Sequence, residues 1–251
     1  MCFTPLFYRC VEVDIRRKRL KILVDVWGQL LDNKKISSRE DIISILKREY
    51  EKNGTEPFRG VAKPQDLYEK DLITLYLVGV YGLGIADEAR DIIDKFLEPE
   101  RLYEKASEIL INTNDPEATR KEIISLFNRT PDSSILSKIF RVEILKHYFG
   151  FVTEDRMSRL LINMLKAFPE EEATVRRLSK FYIAYKVGLA ILNNEIRDWT
   201  TKEIYKQAIA VELKGIKGIP DDDYIAKILS SIFGVKKEKY MNILRISIRE
   251  A

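Results

Sequence analysis

Histidine and cysteine are nearly missing from this chain, with one His (His147) and two Cys (Cys2 and Cys10) among 251 residues. A histidine-built zinc site is excluded, because His147 has neither a second His nor a nearby Cys to complete a tetrahedral set. A disulfide framework is excluded as well, since two thiols near one end do not make one. Long apolar runs are lacking too. The richest, Leu72 to Ala86, is too short to span a bilayer and is interrupted by Tyr76 and Tyr81. Met1 to Arg9 lacks the charged start and apolar centre of a secretory leader, so the expected location is the cytoplasm, with no membrane contact. There the sequon Asn128-Arg129-Thr130 carries no meaning.

Catalytic patterns are equally sparse. Gly79-Val80-Tyr81-Gly82-Leu83-Gly84 has glycines spaced loosely like a phosphate loop, but it follows a helical pattern and lacks the Lys-Ser or Lys-Thr that holds phosphate and magnesium. It is expected to terminate a helix. The acidic run Glu170-Glu171-Glu172 reads as a solvated turn. No metal, cofactor or catalytic constellation is therefore expected. An active site assembled from scattered Asp, Glu, Lys and Tyr stays open, because spatial clustering is not visible in sequence.

What the chain does have is helical periodicity almost everywhere. With 45% hydrophobic and 33% charged residues it can bury a core of its own. Abundant Lys, Glu, Arg and Ile beside so little His and Cys fits a thermophile. Val13 to Leu31 places Ile15, Leu20, Ile22, Leu23, Val26, Trp27, Leu30 and Leu31 on a broad apolar face, and Ser37-Ser38-Arg39-Glu40-Asp41 opens a second helix reaching Lys52. Asn53 to Lys63 is a loop, and Pro64 starts a helix continuing through Leu77. Five more helices follow: Asp87–Leu97, Pro99–Ile111, Asp115–Asn128, Ser133–Phe149 and Thr153–Phe168. Their short connections predict antiparallel neighbours. Pro169-Glu170-Glu171-Glu172 divides a helical domain at 1–169 from a second domain at 170–251.

The second domain carries the expectation of function. Val175–Asn193 is a long helix; Thr200-Thr201-Lys202-Glu203 has capping-box spacing before a helix Glu203–Leu213; Gly215 to Pro220 turns; Asp221–Phe233 forms a third helix. Lys236–Glu238 and Tyr240–Ile248 then read as strands of a wing. This order resembles the winged helix-turn-helix family over about seventy-five residues, and the fold class is therefore mostly α, a multi-helix bundle with a C-terminal winged-helix-like unit carrying a short β-hairpin. Leu31-Asp32-Asn33 before Ser37-Ser38 echoes Leu192-Asn193-Asn194 before Thr200-Thr201. Two related helix-turn-helix units, one of them opening the first domain, and plain reuse of the same caps both explain that echo.

From Arg176 onward there are 15 Lys and Arg against 9 Asp and Glu, a net of +6 in a chain whose total is +4. Phosphate contacts are assigned to Lys214, Lys217, Lys227, Lys236, Lys237, Lys239, Arg245 and Arg249. A secondary basic patch comprises Arg16, Arg17, Lys18, Arg19 and Lys21. Sequence readout is not expected, because the outward positions of the third helix include Asp222, Asp223, Ser230 and Ser231 beside Lys227. The function expected is a non-catalytic nucleic-acid-binding factor, DNA or RNA; the alternative is a protein-interaction adaptor in a DNA- or RNA-handling assembly. The pattern sets no oligomeric state.

Lys63-Pro64-Gln65-Asp66-Leu67-Tyr68-Glu69-Lys70-Asp71, with Tyr76-Leu77-Val78-Gly79-Val80-Tyr81-Gly82-Leu83-Gly84 after it, resembles a motif of an uncharacterised family of helical crenarchaeal proteins. The resemblance implies an archaeal origin and a cytosolic location. It assigns no functional residues.

Overall fold

Ser133 to Phe149 carries apolar residues on nearly every side, and such a helix is stable only at the centre of a core. The computed structural model describes residues 5–32, 36–60, 62–193, 195–196, 199–214, 216 and 218–233. Its helices in chain order are α1 (Pro5–Asp32), α2 (Arg39–Lys52), α3 (Leu67–Leu77), α4 (Arg90–Phe96), α5 (Glu98–Asn112), α6 (Pro116–Phe127), α7 (Ser133–Phe149), α8 (Met157–Ala167), α9 (Glu172–Leu192), α10 (Trp199–Glu212) and α11 (Asp222–Phe233). Short 3-10 turns, Pro64–Asp66 and Pro169–Glu171, precede α3 and α9. The chain divides into two units: Arg17–Glu171, and the described parts of Met1–Arg16 together with Glu172–Ala251.

In the unit Arg17–Glu171, α7 is the central element, packed by α3, α5 and α8. Local chemistry explains several boundaries. The Ser38 hydroxyl accepts from the Asp41 N–H while the Asp41 carboxylate accepts from the Ser38 N–H, a closed capping box. Asp115 and Asp132 cap α6 and α7 through their carboxylates. Arg141 of α7 is buried and donates to the carbonyls of Phe58, Arg59 and Lys70, so the loop after α2 is tied to the core by one guanidinium.

α3 ends at Leu77 as expected, but the glycine-rich segment after it is still helical. Beyond α3 the chain widens into a π-helical turn, Val78–Leu83, and stops only at Gly84, whose φ of 68° lies in the left-handed region. Trp27 supplies the physical reason. Its indole N–H donates to the Leu75 carbonyl at 2.8 Å, and its ring lies where a Cβ on Gly79 would sit, 2.6 Å away. The ring occupies space that a regular turn with side chains would fill.

In the other unit, α10 and α11 both pack on α9. Gly188 of α9 permits the close crossing, since a Cβ there would come within 1.8 Å of Leu229 Cδ2. The expected winged-helix unit with a β-hairpin is corrected: among the described residues all regular structure is helical, and no strand or sheet is present. The apolar face of α11, Ile225, Ile228, Leu229, Ile232 and Phe233, is buried, and α11 packs on α9. The segments assigned to the wing, Lys236–Glu238 and Tyr240–Ile248, lie outside the described residues. Nor does α10 start at a threonine cap; it starts at Trp199, leaving Thr200 and Thr201 within its first turn. Among the described residues, no helix is long and apolar enough to cross a membrane.

Candidate functional site

Of the eight cations assigned to phosphate, two are described. Lys214, just past the end of α10, and Lys227 on α11 are both exposed. Lys217, Lys236, Lys237, Lys239, Arg245 and Arg249 lie outside the described residues. In the secondary patch Arg17, Lys18 and Lys21 are exposed on α1 and Arg16 is half-buried. Arg19 does not lie on that surface: it is buried, donating to the Glu56 carbonyl at 2.9 Å and the Tyr148 hydroxyl at 3.0 Å.

The helix α10 turns its lysines the opposite way from an electrostatic binding helix. Lys202, Lys206, Ile209 and Leu213 form its inward stripe. Lys202 Nζ sits 2.6 Å from Asp222 Oδ1 and 3.5 Å from Glu203 Oε1, and Lys206 Nζ lies 3.0 Å from the same Glu203 atom. Two buried ammonium groups are stable there because carboxylates meet them. The outward stripe is Thr200, Ile204, Gln207, Ala208 and Val211, all exposed and uncharged, with the exposed Glu212 at its edge four residues after Ala208. Ile204 is 64% exposed and Val211 76%. Spacing of i, i+4 and i+7 puts Ile204, Ala208 and Val211 on one line along the helix.

A second concentration of chemistry belongs to the unit Arg17–Glu171. Glu104 and Glu108 of α5 and Glu143 of α7 surround Lys146, which is 1% exposed, and Arg156 at the start of α8. Lys146 Nζ lies 2.9 Å from both Glu104 Oε1 and Glu108 Oε1. Arg156 makes forked contacts of 2.8–3.0 Å with Glu108 and Glu143. Tyr76 donates its hydroxyl to Glu104 at 2.7 Å, and Tyr81 of the π-helical turn donates to the other oxygen of the same carboxylate.

Burial pushes the Glu108 carboxyl up, yet hydrogen bonds from Arg156 and Lys146 outweigh it and bring it down to about 2. Burial pushes Lys146 down, and Glu104 more than reverses that, raising it above the ordinary lysine value. Both groups are therefore charged across the neutral range, so neither is poised to exchange a proton with a substrate. The network clamps α5, α7 and α8 together. Among the described residues no group of three or more His, Cys, Asp or Glu side chains is placed to hold a metal ion.

The model of one protein family, described as "Uncharacterized protein conserved in archaea (DUF2192)", matches residues 13–244. The chain belongs to this family. The match takes in all of the unit Arg17–Glu171 and continues through α11, so the matched region includes α10. No curated protein and no solved structure matches the chain. The family description assigns no residue a role, and roles here rest on the geometry.

Sequence reading missed the α10 stripe. Its signal was present: Ile204, Ile209, Val211 and Leu213 do not fall on one face of a helix, so a helix containing all four must present apolar side chains on two faces.

Proposed function

We propose that this protein is a non-catalytic adaptor, acting in the cytoplasm, whose α10 docks an amphipathic helix of a partner protein. The observation that supports this reading is the outward stripe Ile204, Ala208 and Val211. Scattered exposed aliphatics are ordinary on any protein surface, but these three are aligned, and the lysines of the same helix are turned inward and ion-paired. Such a face suits an apolar seam rather than a phosphate backbone. Fully burying a side chain of this size contributes roughly 1.5–3 kcal/mol, which matches the anchors of a helix-in-groove contact.

A second reading is favoured by charge. The net +6 from Arg176 onward and the exposure of Lys214 and Lys227 support phosphate contact by this part of the chain, as a nucleic-acid-binding factor would make. The two readings part in one experiment. Ile204→Asp with Val211→Asp, checked for unchanged helicity by circular dichroism, is expected to abolish retention of the partner that co-purifies with the native protein. Polarisation of a labelled unrelated duplex, followed across a salt series, is expected to show no saturable binding. Retention unaffected by the two aspartates, together with duplex binding that falls steeply with salt, overturns the adaptor reading in favour of the phosphate one.

A further inference from the structure

The outer side of α1, within the unit Arg17–Glu171, belongs to neither the α10 stripe nor the Glu104–Lys146 network. Ile22, Leu23, Val26, Trp27 and Leu30 enter the core, and the opposite line of the helix is Arg17, Lys21, Val24, Gly28 and Leu31, all exposed. These five alternate steps of four and three residues, the seam spacing of a helix that packs along another helix. Val24 is 37% exposed and Leu31 41%, so two large apolar side chains stand on that line. Gly28 lies between them. Glycine weakens a helix interior, and at Gly188 of α9 a close neighbour explains it, whereas a Cβ on Gly28 would meet no atom within 4 Å. Packing within the described residues does not call for a glycine at 28. Its effect is a bare step on an exposed face, where a second backbone can approach closely.

Charge selects what approaches. Along this side of α1 the cations Arg17, Lys18 and Lys21 come first and the anions Asp25 and Asp32 follow, all of them exposed. A phosphate backbone would meet the two carboxylates as well as the cations. A face that is positive at one end and negative at the other is complementary to itself turned end for end. We propose that α1 pairs antiparallel with α1 of a second copy of this chain, about a two-fold axis near residue 26. Such an axis gives a closed dimer in which the same patch serves both copies. In this register Val24 of each copy lies over Gly28 of the other, and the Lys21 stem covers the other copy's Leu31. The Lys21 ammonium then stands beside the other copy's Asp32. The two Asp25 side chains come nearest the axis but lie on the solvent flank of the seam, where their repulsion is screened. This pairing rests on α1 alone and is independent of the partner proposed for α10.

Sedimentation equilibrium of the full chain tests this. The wild type is expected to show a monomer–dimer equilibrium, and Gly28→Gln, a better helix former, to raise its dissociation constant about tenfold or more by holding the two backbones apart. Lys21→Asp and Asp32→Lys are each expected to weaken the dimer several-fold, and the two changes combined to restore it. Lys21 and Asp32 are separated by roughly 16 Å of rise along one helix, so restoration requires contact between copies. Ile204→Asp with Val211→Asp is expected to leave the dimer unchanged, which keeps this result separate from the α10 reading. A protein that stays monomeric overturns the pairing, as does a dimer indifferent to Gly28→Gln or a combined charge reversal that restores nothing. Loss of the dimer in the α10 variant would move the self-association to α10 and overturn it equally.

Discussion

At the scale of single residues, stability turns on charges taken out of water. Lys146 is the extreme case, closed in between two carboxylates. Lys146→Met keeps the volume and leaves Glu104 and Glu108 without their shared cation, a change expected to cost about 3–5 kcal/mol, as for other broken buried pairs. Lys47→Met removes an exposed i, i+4 pair with Glu51 and is expected to cost less than about 0.5 kcal/mol. Urea unfolding of both variants reads the contrast. Glu108 adds a pH dependence with a definite sign. Its folded value of about 2 lies below the ordinary 4.5, so the carboxylate stabilises the fold at pH values above the ordinary one. That contribution fades as pH falls from 4.5 towards 2. The urea midpoint is expected to drop through this window in the wild type and to drop less in Glu108→Gln.

At the scale of elements, two glycines hold helices at distances that no other residue allows. Gly188→Ala gains up to about 1 kcal/mol of helix propensity, but its methyl group collides with the fully buried Leu229 side chain. Overpacking of this kind costs about 1–3 kcal/mol, so the melting temperature is expected to fall despite the better helix former. The helices themselves were legible because their signals are local. Ser133 to Phe149 reads as a helix from the serine that opens it, and Ser38 announces α2. The π-helical turn was not legible, since its cause is Trp27, about fifty residues away in sequence. The inward stripe of α10 was hidden for a similar reason: two lysines belong to the buried side only because Glu203 and Asp222 meet them there. Alternating basic and apolar residues suggested a wing at Lys236–Glu238 and Tyr240–Ile248, which lie outside the described residues.

At the scale of the whole molecule, a net charge of +4 is modest for a protein that works by neutralising phosphates, although a net of +6 falls from Arg176 onward. The adaptor reading instead locates function in the aligned apolar side chains on one face of one helix. Site-specific photo-crosslinking tests this most directly: a photoreactive residue replacing Val211, compared with one replacing Lys121, which is exposed on α6, in extract of the native cells. The account predicts a protein adduct from position 211, absent from position 121 and lost when Ile204 is changed to Asp. Adducts to nucleic acid at position 211, or a pattern identical at the two positions, would contradict it.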